Sequence, residues 1–214
     1  MTADSRVDLF DAWAATYDRR IEAGTAPVSF EGYEQVLAEV VARAQVTAGM
    51  RVLDLGIGTG NMAALFLDGG CVVWGVDISA QMLARAQEKL PRLHVVQADL
   101  LADDWFGVLN QRFDRIVSSY VLHDLDLSQK MRLLARLAEG HLATNGWMVI
   151  ADVAYPDRAA RARAQGHWGR LWGEGEHYWA ADETIAACQA IALHCTYRQV
   201  STCAGVFVIR ASGP

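Results

Sequence analysis

The sequence predicts an α/β fold in which helices cover both faces of a mostly parallel, doubly wound sheet. Short apolar runs, typical of strands buried on both faces, recur along the chain and alternate with amphipathic helical segments. The first run passes directly into a glycine-rich turn, Gly56-Ile-Gly-Thr-Gly60. A hairpin closes the chain, so the predicted order is two N-terminal helices, five β-α steps and a hairpin.

Composition limits the classes of function. The 214 residues suffice for one α/β domain, and a hydrophobic content of 52% argues against long disordered segments. The net charge of −6 comes without a basic cluster, so no nucleic-acid partner is expected. No apolar run has the length of a membrane span, and the N-terminus lacks a signal-peptide pattern. The four cysteines lack metal-binding spacing, which predicts reduced thiols, no metal site and a cytoplasmic location.

The N-terminal segment carries apolar side chains at helical spacing between residues 5 and 20, among them Phe10, Trp13 and Tyr17. This helix could pack its apolar stripe on the main domain, or it could form a lid over a ligand. The stretch Gly24-Thr-Ala-Pro27 predicts a loop. A second amphipathic helix, 33–44, precedes the first strand.

The first two strands supply the strongest local signal. Strand one, 52–55, contains Asp54 and turns over three alternating glycines, where a ligand can meet bare backbone N–H donors. Taken alone, such a sequence could equally be a tight turn whose glycines are needed only for their positive φ angles. Strand two, 72–77, ends in Asp77 about 20 residues past the glycines. At that spacing a carboxylate reaches both hydroxyls of a ribose.

The later elements continue the alternation and place more acids at the ends of strands. The predicted helices are 62–67, ended by Asp68-Gly-Gly70, 80–90, capped by Ser79, 128–142, ended by Asn145-Gly146, and a last helix from its N-cap Asp182 to 193. The predicted strands are 94–99, 113–120 and 147–152, followed by hairpin strands over 196–200 and 206–210. Asp99 and Asp152 end strands three and five, at the edge where open parallel sheets bind ligands.

Two further features lie near that edge. His123 follows strand four and is either a structural histidine bonded to backbone or a functional group. Between strand five and the hairpin, arginines mix with Trp168, Trp172, Tyr178 and Trp179. A solvated helix with a few aromatic anchors is one interpretation, but three tryptophans close together favour a segment that covers a substrate.

The spacing of the glycines separates two cofactor classes. A dinucleotide fingerprint, G-x-G-x-x-G, needs a glycine where this chain has Asn61. The observed G-x-G-x-G, with Asp54, Asp77 and Gln97-Ala-Asp-Leu100, resembles the class I S-adenosylmethionine-dependent methyltransferases over residues 50 to 153. Leu9-Phe-Asp-Ala-Trp-Ala-Ala-Thr-Tyr-Asp18 resembles the opening of a bacterial branch of small-molecule methyltransferases.

The resemblance implies a seven-stranded Rossmann-like sheet of order 3-2-1-4-5-7-6 with the last strand antiparallel, and S-adenosylmethionine as cofactor. It further implies a small-molecule acceptor and a monomer or homodimer. Residues 1–214 would form one domain, with a helical cap (1–48), a cofactor-binding core (49–153), the aromatic insert (154–181), and a final helix and hairpin (182–214). The implied cofactor-binding residues are Tyr17, Asp54, Gly56, Ile57, Gly58, Gly60, Asp77, Ile78, Met82, Asp99, Leu100 and Ser118.

Methyl transfer asks mainly for position, because the acceptor atom must lie in line with the methyl group at about 3 Å while water is excluded. A general base is needed only for an acceptor that holds its proton at neutral pH. His123 is then the first catalytic candidate, with Tyr17 and Tyr120 as weaker ones. Two alternatives remain open, a non-catalytic module that binds the same cofactor and an NAD-dependent oxidoreductase.

Overall fold

A computed structural model describes residues 3–22, 30–102, 104–169, 172–173 and 175–211. The predicted loop at 24–27 lies outside the described residues. The helices in the described part are α1 (Ala3–Ala14), α2 (Tyr17–Glu22), α3 (Tyr33–Ala44), α4 (Asn61–Asp68), α5 (Ala80–Lys89), α6 (Trp105–Leu109), α7 (Leu127–Gly140), α8 (Arg158–Trp168) and α9 (Ala181–Ala190). None of them is long and apolar enough to cross a membrane.

The strands are β1 (Arg51–Leu55), β2 (Val72–Asp77), β3 (His94–Gln97), β4 (Phe113–Ser119), β5 (Leu142–Tyr155), β6 (Trp179–Ala180), β7 (Leu193–Gln199) and β8 (Ala204–Ala211). They form one sheet of order β3-β2-β1-β4-β5-β8-β7, in which β8 runs antiparallel to both its neighbours. The predicted seven-strand order is therefore confirmed. The two-residue β6, which pairs with β5 in parallel, is an addition that the sequence analysis did not predict.

Helices cover both faces of the sheet, so two apolar cores form. Along β1, Val52 packs into the core shared with α3 and α4, while Leu53 packs into the core shared with α7 and α9. Both side chains are fully buried. Because successive side chains of a strand point to opposite faces, a strand covered on both faces must be apolar throughout. This explains the continuous apolar runs of the sequence.

Several predicted boundaries were wrong. The helix expected over 5–20 is two helices, broken where the Thr16 N–H bonds to the Trp13 carbonyl at 2.9 Å. Asn145, expected to end a helix, lies inside β5, which shifts its register against β4. Asp182 is not an N-cap, because Ala180 holds that position and the Asp182 side chain accepts from the Arg158 N–H instead. The Ser79 cap of α5 is confirmed, since its hydroxyl accepts from the Met82 N–H at 3.0 Å.

The aromatic insert divides into an exposed half and a buried half. No side chain of α8 is buried, whereas Tyr178 and Trp179 are. The segment 177–179 makes four of the structure's hydrogen bonds, three to the main body and one to Arg161 of α8. The His177 N–H donates to the His123 carbonyl at 2.6 Å, Lys130 Nζ donates to the His177 carbonyl, Arg161 donates to the Tyr178 carbonyl at 2.9 Å, and Trp179 Nε1 donates to Asp152 at 3.0 Å. Tyr178 and Trp179 therefore belong to the core.

Candidate functional site

A pocket opens at the carboxyl ends of β1 to β4, at the predicted ligand edge. Its open space is about 900 Å³ when the solvent at its mouth is included. The lining of this pocket includes the following residues that were predicted to bind the cofactor: Tyr17, Gly56, Ile57, Gly58, Asp77, Ile78, Met82, Asp99 and Leu100. Tyr120 also lines it, together with Phe10, Tyr33, Thr59, Asn61, Met62, Ala98, Ser119, Val121, Asp124 and Leu125.

Three implied cofactor residues lie outside this lining. Ser118 is fully buried and donates its hydroxyl to the Leu55 carbonyl at 2.9 Å. Its neighbour Ser119 faces the pocket instead, because side chains alternate along a strand. Gly60 is covered by α5, where an added Cβ would meet Leu90 at 2.8 Å. Asp54 lies beneath the turn.

The glycine turn contains one position that faces open space. A Cβ on Gly56 would overlap Val121, so that glycine permits close packing. A Cβ on Gly58 would meet no described atom within 4 Å, although Gly58 lines the pocket. Its φ of +55° also disfavours any larger residue. Gly58 therefore leaves open space over the turn. The prediction of free N–H donors there is wrong for Gly56, Ile57, Gly58 and Gly60, whose N–H groups already donate to protein acceptors.

Asp77 fixes this turn against the end of β2. Its carboxylate accepts from the Gly58 N–H at 2.8 Å and from the Ser79 N–H at 2.9 Å. Burial raises the pKa of Asp77, and these backbone hydrogen bonds oppose the rise. A carboxylate offers about four acceptor positions, so two bonds leave capacity for a ligand.

Asp54 is a second buried acid below the turn. Its side chain is 1% exposed, and the Oδ2 atom finds no hydrogen-bond partner among the described residues. Burial raises the pKa of Asp54 well above its usual value, and the charge of Asp77 adds to the rise. An orphaned buried acceptor is costly unless a ligand or proton satisfies it.

Aromatic rings form one wall of the pocket. Tyr120, in the left-handed region at φ 57°, stacks on Phe30 at 4.6 Å and on Tyr33 at 5.6 Å between centroids. Burial raises the pKa of Tyr33 to about 12, and it raises the pKa values of Tyr17 and Tyr120 as well. These phenols keep their protons at neutral pH. The arrangement therefore argues against Tyr17 and Tyr120 as general bases.

His123 does not line the pocket. Its Nδ1 lies 2.6 Å from Oδ1 of Asp152, which is fully buried inside β5, because the strand continues to Tyr155 instead of ending at Asp152 as expected. Burial alone would lower the pKa of His123, but the charge and the hydrogen bond of Asp152 outweigh it and raise the pKa to about 9. An imidazolium holding its proton at neutral pH is a poor base. The geometry favours the structural role of His123.

Comparison with known proteins identifies the family. A family model described as a methyltransferase domain matches residues 30–193. An uncharacterized methyltransferase of Geobacillus kaustophilus is 35% identical over 169 residues, covering 75% of this chain and 75% of that protein. The uncharacterized methyltransferase YrrT of Bacillus subtilis is 33% identical over 182 residues, with coverages of 80% and 82%.

Solved structures share the fold at lower identity. The complex of DhpI with SAH aligns with a TM-score of 0.74 and 17% identity, covering 99% of this chain and 98% of that one. Magnesium protoporphyrin IX methyltransferase (ChlM) from Synechocystis PCC 6803, with bound SAH, aligns with a TM-score of 0.72 and 18% identity over 98% and 100%. The chain therefore belongs to the methyltransferase domain family, as a class I S-adenosylmethionine-dependent methyltransferase.

Proposed function

We propose that the pocket beside the glycine turn binds S-adenosylmethionine and that the protein transfers its methyl group to a small-molecule acceptor. The observation that carries the proposal is the open space over Gly58, directly beside the buried carboxylate of Asp77. Open space over a turn glycine is not distinctive by itself, since Gly49 also has it, but Gly58 in addition lines the pocket. The oxidoreductase alternative lacks both its third glycine and a family match.

The charges and donors of the pocket fit this cofactor. Three carboxylates line it, Asp77, Asp99 and Asp124, and no described lining residue carries a cationic side chain. Carboxylates in the lining are compatible with a ligand that carries a positive charge, as a sulfonium does, although Asp99 and Asp124 also interact with other groups of the protein. The orphaned Oδ2 of Asp54 supplies one further acceptor below the turn. In this proposal Asp77 holds the ribose hydroxyls, Met82 covers the adenine, and Asp99 accepts from its exocyclic amine.

When bound, the cofactor supplies an electrophilic methyl group, and the protein has to orient an acceptor and exclude water. The aromatic wall of Tyr33, Phe30 and Tyr120 serves water exclusion, since these rings pack together and Tyr120 is 7% exposed. The pocket offers no histidine or lysine among its described lining residues to take a proton. Proximity is therefore the proposed main source of rate, and acceptors that need no base are favoured.

Asp77→Ala is expected to lower the affinity for S-adenosylmethionine by about 2 kcal/mol, roughly 30-fold, because ribose hydroxyls would lose a buried charged acceptor. Isothermal titration calorimetry measures the change. Asp68→Ala is the matched control, since Asp68 is an exposed acid at the end of α4, and it should bind with parental affinity. Unchanged affinity in Asp77→Ala would remove this carboxylate from the site.

Transfer of isotopically labelled methyl from S-adenosylmethionine tests the acceptor class. The protein is incubated with a bacterial extract, and the low-molecular-weight filtrate is then separated from the macromolecules. Label is expected in the filtrate. Label found only in the macromolecular fraction would contradict the small-molecule acceptor while leaving methyl transfer intact.

We further propose that the exposed half of the aromatic insert covers the acceptor. Trp172 is half-buried and packs against Tyr155 at 6.1 Å and against Tyr178 at 4.5 Å between ring centroids. Replacing both Trp168 and Trp172 with alanine should reduce labelling of the filtrate about tenfold or more, because loss of the cover would misplace the acceptor and admit water. Affinity for S-adenosylmethionine should stay within a few-fold. If labelling of the filtrate and affinity for S-adenosylmethionine fell equally, these tryptophans would be needed for the stability of the fold and not for covering the acceptor.

A further inference from the structure

The two N-terminal helices repeat a pair of residues, an aromatic side chain followed by an aspartate. Phe10 precedes Asp11 in α1, and Tyr17 precedes Asp18 in α2, seven residues later. Both aromatic side chains line the pocket. Both aspartates bond to the main body, at the first turns of α5 and α4. We call Asp11 and Asp18 the cap acids.

Asp11 bonds to the start of α5. Its Oδ1 accepts the hydroxyl hydrogen of Ser79 in a short bond and lies 3.4 Å from the Gln81 nitrogen. Ser79 is fully buried, and its oxygen also accepts from the Met82 N–H, so it links the cap acid to the helix backbone. A carboxylate is favoured here by the partial positive charge of a helix N-terminus.

Asp18 bonds to the glycine turn itself. Its Oδ1 accepts from Thr59 Oγ1 at 2.5 Å and from Asn61 Nδ2 at 3.1 Å. Thr59 lies between Gly58 and Gly60, and Asn61 begins α4. Lys89 completes the cluster, bonding to Asp18 Oδ2 at 3.2 Å and to Asn61 Oδ1 at 2.7 Å. Burial would raise the pKa of Asp18, but the Thr59 hydrogen bond and the Lys89 charge outweigh it and lower the pKa.

Apolar packing holds these helices only in part. Among the described side chains of α1 and α2, Ala14 is the one that is buried. Phe10 and Trp13 contact each other edge to face at 6.1 Å, and Tyr17 meets Phe30 at 6.4 Å. A segment with so few buried apolar contacts is at the low end of local stability. The polar bonds of the cap acids therefore determine how firmly it closes.

We propose that Asp11 and Asp18 are positioning residues that hold Phe10 and Tyr17 over the bound cofactor. This rests on the proposed cofactor site. Because one cap acid bonds to the glycine turn and the other to the end of the β2–α5 connection, the cap closes on the two segments that flank the cofactor. Opening the cap requires both sets of bonds to break, which slows cofactor release.

The test compares Asp11→Asn and Asp18→Asn with the control Asp8→Asn. Asp8 is an exposed acid on α1, the helix that carries Asp11. Stopped-flow displacement measures the dissociation rates of S-adenosylmethionine and S-adenosylhomocysteine. Each cap-acid variant should release both ligands about tenfold faster, as expected for losing a charge-assisted hydrogen bond. Asp8→Asn should keep the parental rate. Parental rates in the cap-acid variants, or an equal increase in Asp8→Asn, would overturn the proposal.

Two measurements separate this role from a general structural one. Thr59→Val should reproduce part of the effect of Asp18→Ala, and the two effects should be less than additive, because both remove the Thr59–Asp18 hydrogen bond while Asp18→Ala also removes the bonds to Asn61 and Lys89. Additive effects would contradict the Thr59 bond. Hydrogen exchange of the ligand-free protein should speed up over 3–22 in the cap-acid variants and stay unchanged in β1; unchanged exchange over 3–22 would overturn the proposal even if the parent bound no cofactor.

Discussion

Gly58→Val is expected to reduce the affinity for S-adenosylmethionine by about 100-fold or more while the protein stays folded. Gly58 lines the pocket, and its added side chain would extend into open space rather than into protein atoms. The valine would fill the volume assigned to the ligand. The loss should appear in calorimetry, with the circular dichroism spectrum unchanged.

Gly49→Val is the matched control for this prediction. Gly49 has φ +86°, and a Cβ there also meets nothing within 4 Å, but it precedes β1 at the opposite end of the strand. A β-branched residue at positive φ is strained at either position, by about 1–2 kcal/mol. Both variants should therefore lose similar stability, and Gly58→Val alone should lose the cofactor. Retained binding in Gly58→Val would mean that the glycine serves only the turn.

The largest expected effect on stability follows from Asp152→Asn. Asp152 is fully buried and accepts hydrogen bonds from His123, from Trp179 at 3.0 Å and from the Val153 N–H at 2.8 Å. Removing one partner of a buried ion pair typically costs about 3–5 kcal/mol. Urea unfolding at pH 6 should show a decrease of that size in the free energy of unfolding.

The same variant should change how stability depends on pH. The pKa of His123 is raised from 6.5 to about 9, so its contribution is complete below pH 6.5 and is lost as the pH rises through 9. Burial would raise the pKa of Asp152, but the charge and the hydrogen bond of His123 outweigh it and lower the pKa from 3.8. The contribution of Asp152 to the free energy of unfolding is therefore present above pH 3.8 and is lost in acid. The difference between parent and Asp152→Asn should be largest between about pH 4 and 6.5 and should narrow toward pH 9. If the stabilities of the parent and of Asp152→Asn changed in parallel with pH, His123 and Asp152 would not form a charged pair.

The part of the site that could be predicted is the part encoded by local spacing. Gly58 and Asp77 belong to one β-α-β unit, and the distance between them along the chain fixes their approach. The partnership of His123 with Asp152 could not be found in this way. It joins the segment after β4 to β5, 29 residues later, and requires the register of the two strands. Asp152 was predicted as one of a row of acids at the ligand edge, yet its side chain is fully buried and bonds to Trp179.

The cap acids were missed for a similar reason. In the sequence Asp11 and Asp18 belong to the polar face of a helix, and nothing nearby identifies their partners. Ser79 and Thr59 lie 68 and 41 residues away. Trp179 shows the opposite error, because its aromatic neighbours favoured a substrate cover while its side chain is 1% exposed in the core. The sequence indicates that a tryptophan side chain will be packed, but the fold determines whether it packs in the core or over a ligand.

The hydrogen bonds that fix 177–179 to the main body have a consequence for how this protein can diversify. On one side of the insert α8 begins with the Asp157 cap, and on the other side 177–179 bonds to His123, Lys130 and Asp152 of the main body. Trp172 lies between these two ends and packs against Tyr155 and Tyr178. If the insert covers the acceptor as proposed, changes near Trp172 would alter the acceptor preference while the glycine turn and Asp77 keep their contacts, so acceptor and donor sites could diverge separately.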